Sequence, residues 1–597
     1  MTRTFVSFRF FSFASITLFV LLAHSPPALA TQFESIGTQA GLEVTGELSE
    51  FGHGVCIFDF EGDGDLDVYV TNGVGSPNQL FLNDGGFTFT EAVNANGAAD
   101  SGHAKACIAA DYDNDGDPDL YVTHYGEPNR LYRNDAGTFV DIASVANVGG
   151  GNLYSTGAAW GDVNADGRLD LYVTNRGITL AGEPNLLYRN DGNDTFAEVA
   201  AASGVEGHSM TFQPLFTDYD LDGDSDLYIS SDKFLGNQLF RNDGAGDFVD
   251  VSVATGSDLA MDGMGVASGD VNADGRSDIF VTNTPAGHRC LVSQPDATFL
   301  EMADTLGITV GEIGWGAVFF DCDLDGDEDL FQVNEVPNRL FRNDGVSPWA
   351  DITPTAGVGG GAISMGCATG DLDGDGDLDL YVSNVLNVCE VYRNETPAGS
   401  HWLRVDTEGT VSNRDGIGAR VEIEIAGQTQ FREIQAGTSY LSQNDHRAHF
   451  GLGGATLVDR VEVRWPSGIV DVMTNVAADQ SLTVVEGATA TTVRPPAGGP
   501  GTVMQLFAYP NPLRHAITVE TNLERASRVS LRVVNLAGRE VYREELGYQG
   551  AGALFASWDG LDPRGDRLPP GVYWLSLGIQ DDRGTRQNVV QKITLVR

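Results

Sequence analysis

The sequence predicts an all-β chain: a seven-bladed β-propeller followed by a small β domain and a C-terminal Ig-like β-sandwich. Three observations predict it. One acidic nonapeptide returns seven times at near-equal spacing, each interval holds four strand-like runs, and those runs alternate apolar and polar residues with period two. The nonapeptide reads DFEGDGDLD from residue 59, DYDNDGDPD from 111, DVNADGRLD from 162, DYDLDGDSD from 218, DVNADGRSD from 270, DCDLDGDED from 321 and DLDGDGDLD from 371. Steps of about fifty residues match the length of a four-stranded propeller blade.

The elements follow in chain order. Residues 1–30 read as a secretory signal, with Arg3 and Arg9 ahead of an apolar run from Phe10 to Ala23 and small residues at Ala28 and Ala30. Pro26 and Pro27 cut that run short of the ~20 residues a membrane-spanning helix needs. The propeller is assigned to residues 31–398. Before each acidic loop stands a short apolar run such as GVCIFDF or WGAVFFD, and after it an alternating run such as DVYVTN. A third run ends at an Asn-Asp-Gly corner suited to a tight hairpin, and a fourth opens on an aromatic residue. An extra fourth run, FESIG from Phe33, precedes the first acidic loop, while the last repeat lacks one. The N-terminal strand is therefore expected to complete the seventh blade and leave the ring no open edge.

Beyond the ring, residues 399–486 read as a second strand-rich domain, 487–504 as a Gly-, Pro- and Thr-rich linker, and 505–597 as a sandwich of short strands and turns.

The acidic loops carry the chemistry. Carboxylates at positions 1, 3 and 5 followed by Gly at 6 let an oxygen-rich loop wrap a hard cation, and Ca2+ takes six to eight such oxygens. The expected ligands are Asp59, Glu61, Asp63 and Asp67 in loop 1 and Asp111, Asp113, Asp115 and Asp119 in loop 2. Loop 3 offers Asp162, Asn164, Asp166 and Asp170, and loop 4 Asp218, Asp220, Asp222 and Asp226. Loop 5 offers Asp270, Asn272, Asp274 and Asp278, loop 6 Asp321, Asp323, Asp325 and Asp329, and loop 7 Asp371, Asp373, Asp375 and Asp379. Up to seven structural Ca2+ ions are expected. Asn164 and Asn272 lower the charge of loops 3 and 5, whose sites should bind more weakly. An EF-hand would need helical flanks and Glu at position 12, where this chain has Val70, Val122 and Val173.

With 84 acidic against 35 basic residues the chain carries a formal charge of −49, which excludes nucleic acid as a partner. Only three basic residues are lysines: Lys105, Lys233 and Lys592. The six cysteines fall at different places in the repeat, and whether they pair or simply pack is open. No HExxH, GxSxG or phosphate-binding loop occurs, so no catalytic residue is assigned. His53, His103 and His208 precede acidic loops near the ring interior, where hydrogen bonding to neighbouring strands is the commoner role.

Through their sevenfold recurrence, residues 33 to 396 resemble the FG-GAP/VCBS repeats of integrin α-subunit propellers and their bacterial relatives. The resemblance implies structural calcium between the first and second strands of each blade, with ligand binding elsewhere on the ring. The phrases HWLRVDTEG, SNRDGIGARVEIEIAG, RAHFGLGG and VDRVEVRWPSG resemble the ASPIC/UnbV domain of cartilage acidic protein-type proteins. Residues 413–416 of this stretch read as a turn in preference to a ligand site. The last unit, with YPNPL and SWDGLDPRGDRLPPGVYWLSL, resembles the Ig-like domain of flagellar hook-capping proteins and type IX sorting domains. Together these imply a secreted or cell-surface, calcium-binding adhesion or ligand-binding scaffold for an extracellular protein or glycan, with the C-terminal domain meeting secretion machinery. The alternative is a carbohydrate-active lyase or hydrolase on the same ring.

Overall fold

The computed structural model describes residues 32–44, 51–177, 183–207, 210–396 and 399–488, and the strands and some turns between 492 and 595. Residues 1–30, read from the sequence as a signal, His208 and most of the stretch 487–504, read as a linker, lie outside the described residues.

Seven antiparallel four-stranded sheets form the first part of the chain. In blade 2 the strands are Ala104–Ala110, Asp119–His124, Arg130–Asn134 and Phe139–Asp141, and the other blades repeat this order. The first strand of each blade lies innermost. It is buried on both faces, which explains its small apolar composition, as in AKACIAA. The innermost strands of successive blades touch in sequence, and Ile363–Gly370 of blade 7 packs back on Val55–Phe58 of blade 1. Blade 7 takes its outermost strand from the N-terminal Phe33–Ser35, which pairs antiparallel with Glu390–Asn394, Phe33 opposite Asn394. The extra fourth run thus sits where its surplus in the sequence put it.

The core explains why each fourth run opens on an aromatic. Position 2 of each acidic loop turns inward and packs on the aromatic of the next blade. Ring centroids lie 4.9 Å apart for Phe60 and Phe139, 5.7 Å for Tyr112 and Phe196, and 6.0 Å for Tyr219 and Phe299. Cys322 of blade 6 shares a cluster with Phe33, so the closing strand uses the same contact. Burying each such aromatic is worth about 2–3 kcal/mol, and the ring repeats the contact at its joints. All six cysteines are buried and unpaired.

Residues from His401 onward form a domain that we call the cap. One sheet has Ala448–Gly453, His401–Glu408 and Gln480–Val485; the other runs Gln428–Glu433, Arg420–Ile425, Leu457–Arg464, Ile469–Ala477 and Thr492–Val493. The last pair lies within the stretch read as linker and adds an edge strand to the cap. The cap's core, including Leu403, Val421 and Phe450, is continuous with Tyr112, Tyr121 and Trp160 of the ring. Its segment Gln435–Arg447 enters the ring, bridging to Cys56, Trp160 and Val266. The C-terminal unit packs a three-stranded sheet and a four-stranded sheet around Val519, Leu531, Trp558, Leu575 and Leu577. Among the described residues no helix is long and apolar enough to cross a membrane.

Candidate metal centres

Each acidic loop joins the innermost strand to its neighbour, so the seven loops share one face of the ring. The side chain at position 1 organises the loop. Asp111 accepts the N–H groups of Asp115 at 3.0 Å and Gly116 at 2.8 Å, and Asp218 accepts those of Asp222 and Gly223, both at 3.0 Å. The side chain at position 5 accepts the N–H of position 7, as from Asp117 to Asp115 at 3.0 Å. Gly116 has a φ of +103°, which favours glycine and lets the loop turn back on the position-1 carboxylate.

Position 9 has another task. Asp119 accepts Tyr112 N–H at 3.2 Å and Asn134 N–H at 2.8 Å, and Asp170 accepts Val163 at 3.0 Å and Asn190 at 2.7 Å. Asp67, Asp226, Asp278, Asp329 and Asp379 make the same pair of bonds. All seven are buried, and each ties its loop to the third strand.

The carboxylates converge within 4.8 Å of one another in four loops: Asp111, Asp113 and Asp115; Asp218, Asp220 and Asp226; Asp321, Asp323 and Asp325; and Asp371, Asp373 and Asp379. These groups can hold a metal ion. Buried oxygens without a hydrogen-bond partner, Oδ1 of Asp220 and of Asp323, fit an ion as the missing neighbour. In loops 3 and 5 Asn164 and Asn272 replace a carboxylate. In loop 1 Glu61, Asp63 and Asp67 surround Asp59 without such a three-carboxylate convergence among the described residues.

The electrostatics point the same way. Burial, followed by neighbouring carboxylates, pushes Asp220, Asp323 and Asp373 up to about 6 and Asp111 up to about 8. Burial pushes Asp170 and Asp278 to about 8 against the pull of their backbone donors. Like charges about 4 Å apart repel by roughly 4 kcal/mol at an effective dielectric near 20, and a divalent cation reverses that sign.

Loop 3 supplies its own counter-charge. Arg168, at position 7, pairs with Asp166 and donates to the Asn190 carbonyl at 2.8 Å. Arg276 in loop 5 has no such pairing to Asp274. Arg168→Ala should therefore tighten cation binding at loop 3 about fivefold, the size of one partly screened charge interaction. Calorimetric titration after chelation is the check, and an unchanged ion count and affinity would count against this role.

The cap lies across the acidic-loop face and addresses the loops individually. Arg447 donates to the Gly64 carbonyl at 3.4 Å in loop 1, and Arg420 to that of Gly275 at 2.7 Å in loop 5. Arg404 stands 4.0 Å from Asp371 and Arg432 3.3 Å from Glu328. Residues 413–416 form a turn, Gly416 N–H to the Asn413 carbonyl, and dock on loop 2, where Arg414 N–H donates to Asn114 at 2.7 Å and Asp415 accepts Asp111 N–H at 2.8 Å. At loop 4, as at loop 2, the cap presents a carboxylate to the position-1 amide: Glu433 accepts Asp218 N–H at 3.2 Å. A cleft of about 780 Å³ opens there, lined by Asp222, Asp274, Arg420, Arg464 and Pro466 among others.

Sequence reasoning missed two ladders between blades. The Asn read as a hairpin corner donates to position 2 of the preceding blade: Asn134 to Phe60, Asn190 to Tyr112, Asn242 to Val163, Asn343 to Val271, Asn394 to Cys322 and Asn83 to Leu372, at 2.8–3.3 Å. Blade 5 has Ser293 there, and its hydroxyl finds no partner. The hydroxyl of the YVTN-type runs donates forward, Thr71 to Lys105, Thr123 to Thr156, Thr174 to Phe212, Ser230 to Met264 and Thr282 to Trp315, at 2.5–2.6 Å. The invariance of that Asn in six of seven repeats was the available signal. Of the histidines, His53 is buried, and His103, half-buried, stands with its ring centroid 5.5 Å from that of Tyr125, where burial pushes it down to about 4.

Comparison with known proteins follows this geometry. Residues 59–122, 111–173, 218–281, 270–332 and 321–382 match the FG-GAP-like repeat, 409–491 the ASPIC and UnbV domain, and 514–582 the FlgD Ig-like domain. Cartilage acidic protein 1 of Homo sapiens is 26% identical over 490 residues, covering 73% of this chain and 72% of that protein. An Agrocybe aegerita lectin structure, described as recognising non-reducing terminal N-acetylglucosamine, aligns with 18% identity and a TM-score of 0.35 over 59% of this chain and 88% of its own. The extracellular domain of a one-component system from B. thetaiotaomicron aligns with 8% identity and a TM-score of 0.38 over 93% and 98%.

Proposed function

We propose that this chain, in which FG-GAP-like repeats are followed by an ASPIC/UnbV domain and a FlgD Ig-like domain, is an exported calcium-loaded scaffold that binds an extracellular protein or glycan. The convergence of carboxylates in four acidic loops, each group holding at least one buried member, is the observation that carries the reading. Hard oxygen donors in a flexible loop suit Ca2+, and the 28 residues named from the sequence are the proposed ligand set, with the position-9 carboxylates also tying each loop to the third strand. The cap covers the loop face, so the ions brace structure and leave ligand contact to the opposite face, the rim, or the cleft beside loop 4. Localisation at the cell surface or outside it follows from the same reading, as does handling of the C-terminal domain by secretion machinery.

The channel in which a propeller lyase or hydrolase would assemble its residues holds Gln435–Arg447 instead, which favours a scaffold over an enzyme. The purified chain, presented to a glycan array and to extracellular matrix proteins with calcium and with chelator, should show saturable, calcium-dependent binding without turnover. Degradation of any polysaccharide, or binding indifferent to metal removal, would sink the reading.

A further inference from the structure

The cap reaches the axis of the ring through one tight hairpin, Thr438 N–H donating to the Ser442 carbonyl at 3.1 Å around a turn at Tyr440 and Leu441, and residues on both arms pair with the ring. Gln443 pairs twice. Its backbone accepts Ile57 N–H at 3.2 Å and donates to the Val55 carbonyl at 2.9 Å. Its side-chain amide accepts Ala109 N–H at 3.0 Å and donates to the Ala109 carbonyl at 2.9 Å. On the other side of the axis Ser439 exchanges both backbone bonds with Val266, at 2.7 and 2.8 Å, and Trp160 N–H donates to the Ala436 carbonyl at 3.0 Å. Tyr440, fully buried, reaches Phe212 and Trp315, whose ring lies 5.3 Å away.

The channel walls are the free edges of innermost strands, which need partners wherever water is excluded. Close approach is built into the ring as well: a Cβ on Gly54 would lie 1.8 Å from the Leu441 carbonyl oxygen. The hairpin meets the inner strands with small and amide-bearing residues, Ala436, Ser439 and Gln443, and buries Tyr440 and Leu441 at its tip.

We propose that the central channel is a binding site for a polypeptide hairpin, filled in this protein by the cap's own Gln435–Arg447, so that ring and cap hold each other without the covalent link between them. This assignment is independent of what the scaffold binds outside. The test uses the full chain with a specific protease sequence inserted at exposed Gly399. After folding and cleavage, ring and cap should co-elute in calcium at high salt, which screens the arginine contacts on the loops. Two variants probe the segment. Gln443→Ala removes the two side-chain hydrogen bonds to Ala109, and Gly54→Ala pushes on Leu441; each, checked for native circular dichroism before cutting, should release the cap at least about tenfold faster, the factor carried by one or two buried hydrogen bonds. Should Gly54→Ala fail to fold, Gln443→Ala decides alone. Separation of the parent's two halves as soon as they are cleaved, or release from the variants no faster than from the parent, overturns the proposal.

Discussion

Stripping divalent ions from the folded chain should lower its melting temperature by more than about 10 °C, and millimolar calcium should restore it where magnesium does not. The argument is mass action. An ion bound only by the native state adds about 2.7 kcal/mol for each site held at a hundredfold excess over its Kd. Four convergent loops would then contribute on the order of 11 kcal/mol, as much as the whole stability of an ordinary domain. Magnesium demands a tighter octahedron and gives up its waters reluctantly, so loops of this size should discriminate against it. Differential scanning calorimetry, with metal content measured before and after chelation, is the check. A shift below about 2 °C with metal loss verified would mean that the loops are solvated turns. Asp220→Asn combined with Asp323→Asn should reproduce part of the loss in saturating calcium, since each substitution strips charge from a convergent group.

The acidic loops and the ring closure were legible because each is a local fact. Alternating carboxylates with Gly at position 6 write their own turn, and a surplus fourth run at one end with a deficit at the other leaves a single way to close. The bonds between blades are not local. Asn190 meets Tyr112 across 78 residues and Gln443 meets Ala109 across 334, and no spacing rule links such pairs. Asn190 also makes the turn that its Asn-Asp-Gly context suggests, accepting Gly192 N–H at 2.9 Å, so the local reading was correct and hid the second role. Arg168 pairs directly with Asp166, a contact that position 7 of the loop does not announce. The cap was visible as strands, but its entry into the ring left only faint traces, such as a glycine where Gly54 begins an inner strand.

That second role predicts the other large effect. Asn190→Ala should cost about 3 kcal/mol, because it leaves the buried carbonyls of Tyr112 and Leu169 without their donor, each such orphan costing about 1–3 kcal/mol. The loss should appear equally in calcium-saturated and chelated protein, which separates it from any effect on the ions. Ser293→Asn should do the reverse. Ser293 N–H already donates to Asp278 at 2.7 Å, the bond its counterparts make, so the backbone stands where an asparagine could reach the Tyr219 carbonyl of blade 4. A gain of about 1 kcal/mol is expected. Between blades 4 and 5 only one of the two ladders runs, the Ser230 bond to Met264, so amide exchange in the native state should be faster at that joint than at the joint between blades 2 and 3, where both ladders run. Equal exchange at the two joints, together with a melting temperature that Asn190→Ala leaves within about 1 °C of the parent, would show that packing of the aromatics holds the blades together and the amides do not.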